Sequence, residues 1–147
     1  MKPLKGYSNL KKGRHSQVGF YYHLVFSTKC RIPYFLKLDY SRKLIQILKA
    51  DGDLGFTNTL CFCVMPDHVY WLFELKKGTL QQAAKRVKSI FSSEVRDFAW
   101  NDGFYDHAIR SDELLINVAR YIVANPLRAG LVKRVGDYPH WDSVWLD

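Results

Sequence analysis

The sequence lacks several features that would place it outside the ordinary globular proteins. No apolar run approaches the roughly 20 residues that a membrane-spanning helix needs, so we expect no membrane association. The first residues are charged and contain no apolar segment of the kind found in secretory signals. Cysteine is scarce and odd in number, with three residues in 147. This count argues against a disulfide framework and predicts a reducing, cytoplasmic location.

Acidic residues are nearly absent from the first third of the chain. Residues 1–43 contain ten Lys/Arg and a single acid, Asp39, which gives a charge of +9. The remaining residues contain twelve Lys/Arg and thirteen acids, so the net charge of +8 lies entirely at the start. A basic segment of this kind predicts a polyanionic partner, most commonly nucleic acid. The alternative is a solvated tail that only aids solubility.

The chain is organised around a predicted β-hairpin in its middle. A short apolar run ends at Val64, and Pro66 with Asp67 is typical of a tight turn. Polar and apolar residues then alternate, so side chains two apart should share a face of the strand. One face would carry His68, Tyr70, Leu72 and Glu74, and the other, a core face, Val69, Trp71, Phe73 and Leu75.

His68 and Tyr70 allow two interpretations. In the first, they are a half-exposed histidine at the end of a strand and an ordinary tyrosine beside it. Alternatively they form a metal site, in which Tyr70 occupies the second position of a His-x-His pair. A third hypothesis is a zinc site from Cys61, Cys63 and His68, although no fourth ligand is evident.

Three helices are predicted around this hairpin. Asp39 is an N-cap candidate for a helix to Ala50, and Thr79 with Gln82 has capping-box spacing for the second. Ser111 or Asp112 should cap a third helix that ends at Pro126. The core stripes predicted for the second and third helices are Leu80, Ala83, Ala84, Val87, Ile90, Phe91, Val95 and Phe98, then Leu114, Leu115, Val118 and Ile122.

The predicted strands complete an α+β fold. Residues 18–28 indicate a first strand and residues 104–109 a last short one. The order β-α-β-β-α-β is that of a ferredoxin-like split β-α-β sandwich, an antiparallel sheet with two helices on one face. The third helix would carry Tyr121 towards the open face. We predict a basic arm at 1–17, one domain at 18–132 and a packed C-terminal tail at 133–147.

Several blocks resemble the REP-associated tyrosine transposases, within the single-tyrosine HUH transposases. Residues 65–70, Met-Pro-Asp-His-Val-Tyr, resemble the hairpin of that family, whose motif continues His-hydrophobic-His. Residues 120–132 resemble its distal helix, and the blocks at 13–16, 22–25 and 104–110 are similar to others in the same order. The resemblance covers nearly the whole chain.

This resemblance implies an activity. Tyr121 matches a nucleophile that cleaves single-stranded DNA and leaves a 5′-phosphotyrosine link and a free 3′-OH. His68 and Asn125 match two ligands of Mg²⁺ or Mn²⁺, and Tyr70 stands where the family has its second histidine. The implied partners are single-stranded DNA and palindromic repeat hairpins, bound by a monomer or a homodimer. The candidates for DNA binding are Lys11, Lys12, Gly13, Arg14, His15, Ser16, Lys29, Arg31, Arg110 and Arg128.

Tyr70 is the departure from the family pattern. A phenol has a pKa of about 10 and is a poor metal ligand until it ionises. The alternative function is therefore a protein of the same fold that binds structured DNA without cleaving it.

Overall fold

A five-stranded antiparallel sheet is the centre of the computed structural model, which describes residues 16–145. Its strands are β1 (Tyr21–Ser27), β2 (Thr57–Val64), β3 (His68–Leu75), β4 (Tyr105–Ile109) and β5 (Trp141–Ser143). They lie in the order β4-β1-β3-β2-β5, and every neighbouring pair is antiparallel. The predicted central hairpin is therefore confirmed as β2 and β3, and β3 is the middle strand of the sheet.

In the described part of the chain, four α-helices accompany the sheet: α1 (Leu38–Asp53), α2 (Leu80–Glu94), α3 (Asp112–Val123) and the short α4 (Asn125–Arg128). The predicted capping box at Thr79 and Gln82 is present at the start of α2. Ser111 caps α3, because its hydroxyl accepts a hydrogen bond from the amide of Leu114. Within residues 16–145, no helix combines the length and apolarity needed to cross a bilayer.

The helices divide the sheet into two different faces. We call the face that bears Trp71, Phe73 and Leu75 the core face, because α1 and α2 pack on it and all three side chains are fully buried. We call the opposite face, with His68 and Tyr70, the site face. Part of it is covered by α3 in a second apolar cluster that includes Leu72 and Ile122. The predicted α+β sandwich, with a third helix on the other side, is confirmed.

Two predicted helix boundaries are wrong. The N-cap of α1 is Lys37, without a side-chain hydrogen bond, and Asp39 lies in the first turn. A carboxylate there still interacts favourably with the helix dipole. Pro126 does not end α3, which stops at Val123; it lies at the start of α4. Proline is tolerated in a first turn because its missing amide hydrogen would have no helical partner there.

Some details of the strands and stripes also differ from prediction. β1 begins at Tyr21 rather than Val18, and β5 is an additional edge strand, so β4 is not the last. α2 ends at Glu94, before Val95 and Phe98. Ile90 and Leu114 are not core residues, with 38% and 51% of their surfaces exposed. A helical stripe can be wider than the contact it makes, and its flanks then face solvent.

Candidate functional site

His68 is held in place by the residue that precedes it. Its Nδ1 lies 2.6 Å from a carboxylate oxygen of Asp67, and the other oxygen accepts a hydrogen bond from Nε of Arg31 at 2.9 Å. With the proton on Nδ1, the lone pair of Nε2 is available to a ligand. Burial lowers the pKa of His68, and Asp67 offsets this in part. The ring is therefore neutral at pH 7, which is the form that can bind a metal ion.

Asp67 is held by hydrogen bonds to its side-chain carboxylate and to its backbone oxygen. Burial acts to raise its pKa, but hydrogen bonds from His68 and Arg31 outweigh this effect and lower it. The backbone oxygen of Asp67 accepts hydrogen bonds from the amide and the hydroxyl of Thr28, at 2.9 and 3.2 Å. Beyond Thr28, Cys30 and Arg31 have φ values of 57° and 55°, a strained region for residues with side chains. The loop that carries Arg31 is thus fixed against the His68 turn.

Tyr70 lies at the centre of a group of rings on the site face. Its ring centroid is 5.0 Å from that of His68, 5.8 Å from His23 and 6.3 Å from Tyr121. Burial, and secondarily the neighbouring Tyr121, raise the pKa of Tyr70. The phenol is therefore protonated at neutral pH, and a protonated phenol is a weak metal ligand.

Tyr121 reaches this group from the last turn of α3. The guanidinium carbon of Arg128 lies 4.0 Å from the centre of the Tyr121 ring, and its Nη2 donates to the backbone oxygen of Tyr121 at 2.7 Å. Arg128 belongs to α4, so the break between α3 and α4 makes this contact possible. The Tyr121 side chain remains partly open, with 39% of the residue exposed. The arrangement supplies an accessible phenol beside a cation.

Asn125 lies four residues beyond Tyr121, but α3 ends at Val123, so Asn125 starts α4 instead of sharing a helix with Tyr121 as predicted. It is buried, and its amide nitrogen has no hydrogen-bond partner among the described residues. An unsatisfied buried amide is uncommon and calls for an explanation. Turning the amide over would place its oxygen in that position, and oxygen is the atom that hard cations prefer.

His23 is a buried feature of the site face that the sequence did not single out. It is 1% exposed, and neither ring nitrogen has a partner within residues 16–145. Burial, followed by the neighbouring His107, lowers the pKa of His23 to about 3. His107 is its direct cross-strand partner on β4. The only available signal was a histidine in an otherwise apolar strand, which does not reveal what surrounds the ring.

The donor set fits a weakly held Mg²⁺ or Mn²⁺ better than a closed metal centre. Within residues 16–145 no cluster of three or more His, Cys, Asp or Glu side chains is arranged to hold a metal. His68 offers one imidazole nitrogen and Asn125 one amide. Mg²⁺ commonly keeps several waters and binds through few protein ligands together with substrate phosphates. Donors of this type therefore fit an ion that is held mainly by waters and by a substrate phosphate.

The zinc hypothesis for Cys61 and Cys63 is not supported. Both residues are buried in the apolar cluster under α3. Burial raises the pKa of Cys61 to about 12 and that of Cys63 further. Zinc binds thiolates, whereas these groups are protonated thiols that fill the core.

The structure describes only some of the other residues predicted to bind DNA. Lys11, Lys12, Gly13, Arg14 and His15 lie outside the described residues. The hydroxyl of Ser16 accepts a hydrogen bond from the amide of Leu80 at the start of α2. Lys29 and Arg110 are exposed, and Lys29 shares the loop of Arg31 next to His68.

The family model described as Transposase IS200 like matches residues 16–125. An Escherichia coli K12 protein, a REP-associated tyrosine transposase, is 29% identical in a match that covers 63% of this chain and 58% of that protein. A Haemophilus influenzae Rd protein, named as another such transposase, is 30% identical, with 56% of each chain covered. The match thus spans somewhat more than half the length of these two curated relatives.

Two solved structures share the fold. The structure of a REP-associated tyrosine transposase bound to a REP hairpin has a TM-score of 0.72 and 23% identity, covering 87% of this chain and 79% of that one. A Deinococcus radiodurans R1 protein described as a transposase has a TM-score of 0.53 and 20% identity, covering 75% of this chain and 93% of that one. Both likenesses extend over three quarters or more of this chain, and both concern the fold.

Proposed function

The chain belongs to the IS200-like transposase family, and on that premise we propose that it cleaves and rejoins single-stranded DNA at palindromic repeat hairpins. The observation that carries this proposal is the meeting of two distant segments. Tyr121 of α3 lies beside Tyr70 of the β3 hairpin, with ring centroids 6.3 Å apart. An accessible tyrosine beside an arginine, with a positioned histidine on the far side of Tyr70, is a suitable arrangement for nucleophilic attack on a phosphodiester.

In the proposed reaction, the Tyr121 hydroxyl gives up its proton as its oxygen attacks the scissile phosphorus and forms a phosphotyrosine bond. The bond from phosphorus to the 3′-oxygen breaks, and this oxygen takes up a proton from water to become a free 3′-OH. Arg128 restrains the Tyr121 ring by stacking and by its hydrogen bond to the backbone. Its positive charge, 4.0 Å from the centre of that ring, would also favour a phosphate that approaches Tyr121.

His68 and Asn125 are the proposed ligands of Mg²⁺ or Mn²⁺. When bound, such an ion polarises the phosphate and offsets developing charge. Asp67 keeps Nε2 of His68 directed away from the turn, because Nδ1 is occupied by the carboxylate. Tyr70 contributes a protonated hydroxyl, which can donate a hydrogen bond but adds little affinity for a cation.

The proposed partner is a DNA hairpin with a single-stranded flank. A transposase with the same fold is bound to a REP hairpin in its solved structure. The excess positive charge of residues 1–43 supports binding to a polyanion, as does the exposed loop with Lys29 and Arg31. Neutralisation of phosphates by these side chains would make the affinity fall steeply with salt.

The second candidate function is DNA binding without cleavage, and Tyr70 is the observation that favours it. The residue removes one imidazole from the expected pair, and its raised pKa prevents compensation by a phenolate. A protein with this site would bind hairpins with the same salt dependence but would form no covalent product.

The experiment compares this chain with its Tyr70→His variant and a Tyr121→Phe control. A labelled repeat hairpin is incubated with each protein in Mn²⁺, and products are separated under denaturing conditions. Cleavage by the unaltered chain, absent in Tyr121→Phe, supports the transposase reaction. Cleavage by the Tyr70→His variant alone supports the binding function for the unaltered chain. Equal cleavage by Tyr121→Phe would contradict the role of Tyr121.

A further inference from the structure

An open cleft of about 630 Å³ lies at the end of the sheet beside the proposed site. It is formed by two separate segments, residues 25–31 at the end of β1 and residues 101–105 before and at the start of β4. Ligand pockets commonly enclose between about 300 and 1,000 Å³, so the cleft is large enough for a nucleotide. The proposed cleavage reaction uses none of its lining residues for chemistry.

Strand register places this cleft next to His68 and Tyr70. Val25 is paired with Tyr70 of β3 on one side and with Tyr105 of β4 on the other, and Ser27 is paired with His68. Directly paired residues in neighbouring strands project from the same face of a sheet. The floor of the cleft is therefore one strand spacing, about 4.8 Å, from the backbone of His68 and Tyr70.

The far wall of the cleft is preformed. Lys88 of α2 donates from Nζ to the backbone oxygens of Asn101 and Gly103, at 2.8 and 2.9 Å. The amide of Asn101 donates to the backbone oxygen of Ser27, and its side-chain nitrogen donates to the Ser27 hydroxyl at 2.9 Å. A wall that is ordered before a ligand arrives spares the ligand the cost of ordering it.

The lining combines the groups that recognise a nucleobase. Tyr105 provides an aromatic ring for stacking, and Arg31 at the rim provides a cation. The Asn101 side-chain nitrogen donates to Ser27, and the Asn101 side-chain oxygen and the Asp102 carboxylate supply hydrogen-bond acceptors. Aromatic stacking with nearby polar acceptors and a cation is the usual means of binding an unpaired base.

We propose that this cleft binds the base of one unpaired nucleotide of the DNA, adjacent to the phosphate presented to Tyr121. The inference rests on the proposed function and extends it to a protein pocket for the strand near the cut. Arg31 joins the two sites, since it lines the cleft and also holds Asp67 against His68.

The test uses mononucleotides, so that it needs neither the cognate DNA nor cleavage. The ¹⁵N-labelled full chain is titrated with each of the four deoxynucleoside 5′-monophosphates and, separately, with 2-deoxyribose 5-phosphate. We expect amide shifts at Ser27, Arg31 and residues 101–105 with at least one nucleotide and none there with the sugar phosphate. Equal shifts with the sugar phosphate, or no shifts in the cleft with any nucleotide, would overturn the inference.

Two substitutions in the cleft and one distant control test whether the cleft residues contribute to nucleotide binding. Tyr105→Ala should weaken nucleotide binding by about tenfold, as loss of a stacking ring does elsewhere. Asp102→Ala, an exposed change that leaves β4 intact, should weaken it by a smaller factor, and Asp53→Ala at the end of α1 should have no effect. Unchanged affinity in both cleft variants would contradict the proposal. If no nucleotide binds in the cleft while Tyr121 still forms a covalent product with DNA, the nucleotide site is ruled out and the proposed function stands.

Discussion

The two faces of the sheet differ in what their buried groups contact. On the core face the large side chains pack on one another, and Trp71 donates its indole hydrogen to Thr59. On the site face two buried polar groups, His23 and Asn125, contain atoms without a partner within the described part of the chain. The site face also carries the phenols of Tyr70 and Tyr121 in contact.

The difference shows where this fold is stabilised and where it is adapted for binding. A protein interior is normally close-packed and its polar atoms are satisfied. The core face follows this rule and should dominate the free energy of unfolding. The site face departs from it, and such departures tend to occur where a ligand completes the structure.

The largest expected effect is a loss of stability on the core face. Phe91→Ala removes a fully buried ring that contacts Phe35, Phe98 and Trp100. We expect the free energy of unfolding to fall by about 4 kcal/mol, measured by urea denaturation. The matched control is Phe20→Ala, at a residue that is 44% exposed, where the change should stay within about 0.5 kcal/mol. Similar losses in the two variants would show that α2 does not define the core.

The next effect concerns metal affinity on the site face. Asp67→Asn keeps the size of the side chain but removes the carboxylate that orients His68. Loss of such a partner typically weakens metal binding by about tenfold or more, which can be followed by Mn²⁺ titration with electron paramagnetic resonance. Because the contact is partly exposed, the melting temperature should change little. An unchanged Mn²⁺ affinity would show that His68 needs no support from Asp67.

A smaller effect is expected at His23 and depends on pH. The pKa of His23 is lowered to about 3 in the folded protein from 6.5, so between these values the unfolded chain binds more protons. Acid should therefore destabilise the protein as pH falls from about 6.5 towards 3. His23→Phe removes this contribution together with the two ring nitrogens, which have no hydrogen-bond partner among residues 16–145.

At pH 7 the His23→Phe variant should be more stable by about 1 kcal/mol, and its advantage should grow at pH 4.5. Thermal melts of both proteins at the two pH values measure this difference in stability. His107→Phe, at a partly exposed ring on the neighbouring strand, is the control and should show a smaller pH-dependent gain. A variant less stable than the parent at pH 7 would indicate that the His23 nitrogens bind a group of their own.

The sequence predicted the parts of the fold that depend on local periodicity. Alternation after Asp67 identified β3 and assigned its faces correctly, because a strand has a period of two. Capping by Thr79 and by Ser111 was recognised because one side chain satisfies a nearby amide. The three-residue edge strand β5 was missed, since so short a segment shows no periodicity.

The sequence predicted only part of the candidate site. Helical spacing predicted Tyr121 and Asn125 on one face of a single helix, whereas the helix breaks between them. The structure does bring Tyr121 to Tyr70. The ion pair of Arg31 with Asp67 joins residues 36 apart, and the cleft is formed by segments about 70 residues apart. Such contacts are set by the order of strands in the sheet, which no local pattern contains.

The measurement that tests the central claim most directly is the identification of the tyrosine that becomes attached to DNA. The protein is incubated with a repeat hairpin and Mn²⁺, digested with nuclease and trypsin, and analysed by mass spectrometry. Trypsin releases residues 121–128 as one peptide, in which Tyr121 is the only tyrosine. We predict that this peptide carries the 5′-phosphonucleotide. A nucleotide on Tyr70, or on any other tyrosine, would contradict the account.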